Sequence, residues 1–129
     1  MSEKPIDWRG SSLKDLKDEK LFSEDARKEA GHQLSQVQAG LDPDHWKPFD
    51  TVGPGTKEIV VDVEDGWYRV MYVAKFSDAV YVLHCFKKKS NETSKKDIEV
   101  TAARYDAVIA ERKENENKRQ IKLRHPHGR

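Results

Sequence analysis

Apolar residues change their spacing twice along this chain. From Ser23 onward Ala26, Ala30, Leu34, Val37 and Leu41 recur at intervals of three and four, which puts them on one stripe of an α-helix. Ser23 is suited to cap that helix, Glu24 and Asp25 fall where the macrodipole favours acids, and Gly40 is placed to end it. The preceding "SSLKDLKDEKLF" predicts a shorter helix. There Ser11 or Ser12 serves as cap, Asp15 stands three residues after Ser12 in a capping-box place, and Leu13 and Leu16 share a face. The segment "DPDHWKPFDTVGPGT" is full of Pro and Gly and reads as a loop.

Beyond it the pattern turns to β-like runs, "KEIVVDV", "WYRVMYVAKF" and "AVYVLHCF". The short connections "EDG" and "SD" make these an antiparallel meander. Helical spacing then returns: Ser94 is an N-cap with Asp97 completing a capping box, and Ile98, Ala102, Tyr105 and Ile109 follow. The expected order is ααβββα and the expected class α+β, with helices on one face of an antiparallel sheet. One domain is expected over residues 1–113. The polar, basic segment 114–129 carries no core-forming pattern and is expected to be a frayed or flexible tail. Strand alternation places Arg69, Met71 and Val73 on one face of the second strand, expected to be open. Val70, Tyr72 and Ala74 fall on the other, helix-packed face.

Composition narrows the function. Of 129 residues, 36% are apolar and another 36% charged, so a compact core must carry a heavily charged surface. The net charge of +1 argues against a purely electrostatic nucleic-acid binder. It hides a polarity, however: 8 basic against 11 acidic residues over 1–50, and 10 against 6 over 94–129. Cys85 is the single cysteine, so no internal disulfide is possible, and within an apolar run it reads as a buried thiol. The opening "MSEKPIDWRG" is too polar for a signal peptide, and no apolar run approaches the ~20 residues that span a bilayer. The expected compartment is the cytoplasm, with no membrane partner. No His/Cys/Asp spacing suggests a metal site, His125-Pro-His127 being too short, and no Gly-rich phosphate loop follows a strand. No cofactor is expected.

Two features ask for chemistry. Lys87, Lys88 and Lys89 end the third strand as a knot of like charge, either solvated or placed to meet an anion. Arg69 interrupts an apolar strand, either to grip a phosphate or to pair with Glu58 or Asp62. His84 reads as a core or sheet-lining histidine and Tyr105 as core. Trp46 and Trp67 can stack on bases or pack on the domain edge.

The ordered combination of "ARKEAGHQL", "GTKEI", "YRVMYVAKF" and "VYVLHCFKKK" followed by "TSKKDIEVTAARY" resembles the RelE/HigB superfamily of toxins, over roughly residues 6–109. It looks closest to the phage-related HigB-like branch. The resemblance implies a RelE-like fold and a metal-independent endoribonuclease that cuts mRNA on translating ribosomes. It also implies a cognate antitoxin, a helix-turn-helix DNA-binding protein through which operator DNA is engaged indirectly. By the same resemblance Arg69 stabilises the transition-state phosphate, Lys57 is the general base, and Lys88 can donate the leaving-group proton. Lys87, Lys89, Lys95 and Lys96 would contact RNA. The sequence departs from the pattern where "KEIVVDV" offers one lysine and two acids, and where Glu92 stands in "SNETS". A gyrase-poisoning ParE-like toxin and a catalytically inactive antitoxin-binding relative are the alternatives. The nuclease expectation sets a condition: Arg69 must face the lysines and its head must not be buried against a carboxylate.

Overall fold

The computed structural model describes residues 3–124. Its elements run β1 (Ile6–Trp8), α1 (Ser12–Lys17), α2 (Glu24–Gln38), β2 (Trp46–Pro48), a 3-10 turn (Asp50–Val52), β3 (Thr56–Val63), β4 (Gly66–Val73), β5 (Val80–Lys88) and α3 (Lys95–Arg124). The class is α+β, built on a five-stranded mixed sheet of order β1-β5-β4-β3-β2. The three long strands form the expected antiparallel meander. Two short edge strands were not expected. β1 pairs parallel with Val80–Val82, and β2 pairs antiparallel with Lys57–Ile59. Each has three residues and no alternation to announce it, so only the sheet edge they complete defines them.

Helix α2 forms as its pattern dictates. Ser23 Oγ accepts from the Ala26 amide, and Ala26, Ala30, Leu34 and Val37 are buried. Gly40 takes a positive φ of 87° that a side chain would resist. It donates to Val37 O while Leu41 N donates to Gln36 O, a Schellman stop. Leu41 lies beyond that stop and is exposed, so the stripe ends one member earlier than its spacing implied. In α1 the cap is Ser11, whose hydroxyl donates to Asp15, and Ser12 and Leu16 are buried.

The sheet is covered on both faces, which corrects the expectation of one open face. Under α1 and α2 lie Val70, Tyr72, Val82 and Cys85 with Phe22, Leu34 and Ile59. Across the sheet Met71, Val73, Tyr81 and Leu83 pack with Tyr105 and Val108 of α3 in a second cluster. A bulge at Met71/Tyr72, where pairing jumps from His84 to Val82, places the adjacent Leu83 and His84 opposite this junction. Helix α3 also runs on through residues 114–124, where a frayed tail was expected. Residues 125–129, with His125 and His127, lie outside the described residues.

Candidate functional site

Three cross-strand rows build one patch on the α3 side of the sheet. Strand pairing sets Lys47, Glu58, Met71 and His84 in the first row, Val60, Arg69 and Phe86 in the second, and Asp62, Trp67 and Lys88 in the third. Because side chains alternate, every second residue of β3, β4 and β5 joins this patch and its neighbours are excluded. Arg69 and Lys88 therefore share a face on adjacent strands, as expected.

Arg69 does not offer a free head, which corrects the expected clasp. Its side chain is only 6% exposed. Nη1 donates to Asp62 Oδ1 at 2.7 Å and to Tyr68 O at 2.8 Å. Nε lies 3.9 Å from Glu58 Oε2, too far for a hydrogen bond, and both atoms are buried without a partner. The two acids of "KEIVVDV" flank the guanidinium because each lies two residues from Val60, the cross-strand partner of Arg69, and so shares its face. Glu58 is 3% exposed and Asp62 50%, so one carboxylate is locked in and the other stands at the rim.

Lys57 is the second correction. It pairs with Tyr72, whose ring belongs to the α1/α2 core, so it lies on the opposite face from Arg69. There its ammonium bonds Asp42 at 2.9 Å and sits 4.4 Å above the Trp46 ring. No base on that face can serve a phosphate held by Arg69. Lys87 likewise turns to the far side, 5.3 Å over the Tyr68 ring. Trp46 leaves with Lys57, whereas Trp67 stays in the Asp62–Lys88 row, 44% exposed. Lys89 and Lys96 line a hollow of about 590 Å³ with Lys88, His84 and Asp97, and Lys87 also reaches its wall. Lys95 is solvent-exposed and faces Glu99 one turn on.

Lys88 is restrained by Asn91 O at 2.7 Å. Its pKa is lowered, chiefly by desolvation and then by Arg69, with Lys47 adding to the repulsion that Glu58 and Asp62 partly offset. A lowered pKa moves the ammonium in the direction that favours giving up its proton. His84, read from sequence as sheet-lining, is more engaged than that. Its Nε2 lies 2.7 Å from Asp97 Oδ1, whose Oδ2 accepts from the Ser94 hydroxyl, and its ring stacks on Phe86. Burial depresses the His84 pKa more than Asp97 raises it. Glu58 is the residue the sequence reading did not single out for chemistry. The signal available was its place in an apolar strand, where it lies diagonal to Arg69, two residues from the Arg69 partner Val60. Among the described residues, no group of three or more His, Cys, Asp or Glu could hold a metal ion.

The sheet thus gathers one buried arginine, two acids and a lysine of lowered pKa on a single patch of an α+β domain. Residues 17–106 match the family described as phage derived protein Gp49-like (DUF891), and the chain belongs to that family. No curated protein matches the chain, and no solved structure does. Among the described residues no helix is long and apolar enough to cross a membrane.

Proposed function

We propose that this protein is the toxin of a type II toxin–antitoxin pair, of the RelE/HigB kind, and that it cleaves mRNA on translating ribosomes. The reading rests on the shared face of Arg69 and Lys88, two cations on adjacent strands, with the buried carboxylate of Glu58 on β3, the strand on the other side of β4. The Arg69 head is held by Asp62, so the condition set from the sequence is met only when a phosphate displaces that carboxylate. RNA can be cut when its 2′-oxygen forms a bond to the neighbouring phosphorus and the P–O5′ bond breaks. Glu58 takes the 2′-hydroxyl proton in place of Lys57, and Lys88 supplies the proton to the departing 5′-oxygen. Arg69 balances the charge that grows on the phosphorane, where preorganised cations contribute most. Acid–base help of this kind is worth ~10²–10⁴-fold. Trp67 offers an exposed ring for a base beside the scissile phosphate. The cognate antitoxin is a small DNA-binding protein that neutralises the toxin.

Brief induction followed by mapping of cellular RNA 5′ ends tests this. New ends that vanish in Lys88→Ala support the reading. DNA damage with intact transcripts would replace it with gyrase poisoning. A second reading, a binding-only relative, draws on the pairing of Arg69 with Asp62. Intact RNA together with tight capture of a neighbouring gene's product selects it.

A further inference from the structure

We propose that Asp62 sets the anion affinity of this site: a phosphate oxygen binds Arg69 by exchanging with the Asp62 carboxylate, and the phosphate then lies between Arg69 and Lys88. The inference deepens the RNA-directed reading above and rests on it. Three observations carry it. First, the two acids beside Arg69 differ in freedom. Glu58 is 3% exposed and has no room to leave, whereas Asp62 is 50% exposed and can turn into water at small cost. Second, the Asp62 bond to Nη1 is a single 2.7 Å contact, so one hydrogen bond is all that must be exchanged. A phosphodiester offers two oxygens in the spacing that guanidinium prefers, so it can satisfy Nη1 and a second donor together. Third, Lys88 is held only by a neutral carbonyl, that of Asn91, which a charged oxygen outcompetes.

Charge balance agrees. Arg69, Lys88 and Lys47 face the two acids Glu58 and Asp62, so the patch keeps one positive charge at rest and a second once Asp62 turns away, which a phosphodiester would neutralise in its place. Trp67 and Lys88 stand in the same row as Asp62, so the space opened by its departure is walled by a ring and an ammonium.

The test is calorimetric titration of the full chain with inorganic phosphate, and with a short RNA whose 2′-hydroxyls are replaced by hydrogen so that it cannot be cut. Asp62→Asn is expected to bind both probes on the order of tenfold tighter than the wild type. Glu64→Gln removes an exposed acid one residue past the end of β3 and is expected to change nothing. Arg69→Lys in the Asp62→Asn background is expected to lose the gain. Equal affinity of Asp62→Asn and wild type overturns the proposal, and so does an equal gain in Glu64→Gln. Should Asp62→Asn fail to fold, Asp62→Ser is measured with the same outcomes. Tighter phosphate binding without transcript cleavage upholds the role of Asp62 and removes the nuclease. Cleavage without any gain in binding does the reverse.

Discussion

His84 Nε2 lies 2.7 Å from Asp97 Oδ1, and this contact ties the first turn of α3 to the central part of β5. Asp97 is at the same time part of the helix cap, since its amide donates to Ser94 Oγ and its carboxylate accepts from that hydroxyl. One side chain thus joins a local helix signal to a tertiary contact. Burial holds the His84 pKa below 6.5 in the folded protein, so the unfolded chain binds the proton more readily. His84 therefore contributes stability that is present above about pH 6.5 and is lost as pH falls through its folded value. Thermal unfolding between pH 5 and 8 is expected to show this slope, and His84→Gln to flatten it. An unchanged slope in that variant removes His84 as its source.

Arg69 and Glu58 are expected to be strongly coupled. Removing the arginine alone leaves a carboxylate buried beside no cation, a change that costs about 3–5 kcal/mol in well-buried pairs. Arg69→Met should fall somewhat short of that, because Asp62 reaches solvent. Pairing it with Glu58→Gln should recover part of the loss. Denaturant titration of the two single variants and the double variant measures the coupling, expected at about 1–3 kcal/mol. A harmless Arg69→Ala variant is consequently evidence about chemistry only when its folding has been measured beside it.

Lys57 and Lys88 are expected to separate. Lys57→Ala loses one exposed ion pair and a contact over Trp46, about 1 kcal/mol or less, and should leave transcript cleavage intact. Lys88→Ala should lose most cleavage with little change in stability. Primer-extension yield per folded protein distinguishes them, and equal loss in both variants would contradict the assignment of Lys57 to the far face.

Cys85 is fully enclosed in the α1/α2 core, and burial pushes its thiol pKa well upward. The thiolate is the reactive form, so labelling by a soluble disulfide reagent should proceed only through unfolding. Its rate is expected to rise with denaturant along the unfolding transition. Rapid labelling in buffer would place the thiol at a surface.

Much of the scaffold was readable from residue order. The α2 stripe, its Ser23 and Gly40 ends, the three long strands and the Ser94–Asp97 cap rest on neighbours a few positions apart, and such local preferences survive folding. The edge strands β1 and β2 were not readable. Three-residue segments acquire strand geometry from the partner whose backbone groups they satisfy, and that partner is distant in sequence. The same limit governed the site. Alternation placed Arg69 with Met71 and Val73 on one face of β4, because period two is a local property, but did not say which of Lys87, Lys88 and Lys89 would join it from β5. It could not say that α3 would cover Met71 and Val73, that Lys57 would fall on the side facing α2, or which of a phosphate, Glu58 and Asp62 would hold Arg69. Those depend on strand register and on which helix lies across which face. Sequence alone determined which residues carry charge and which elements form. Tertiary structure decided which charges meet, since only the assembled sheet brings the side chains of three strands within reach of one another.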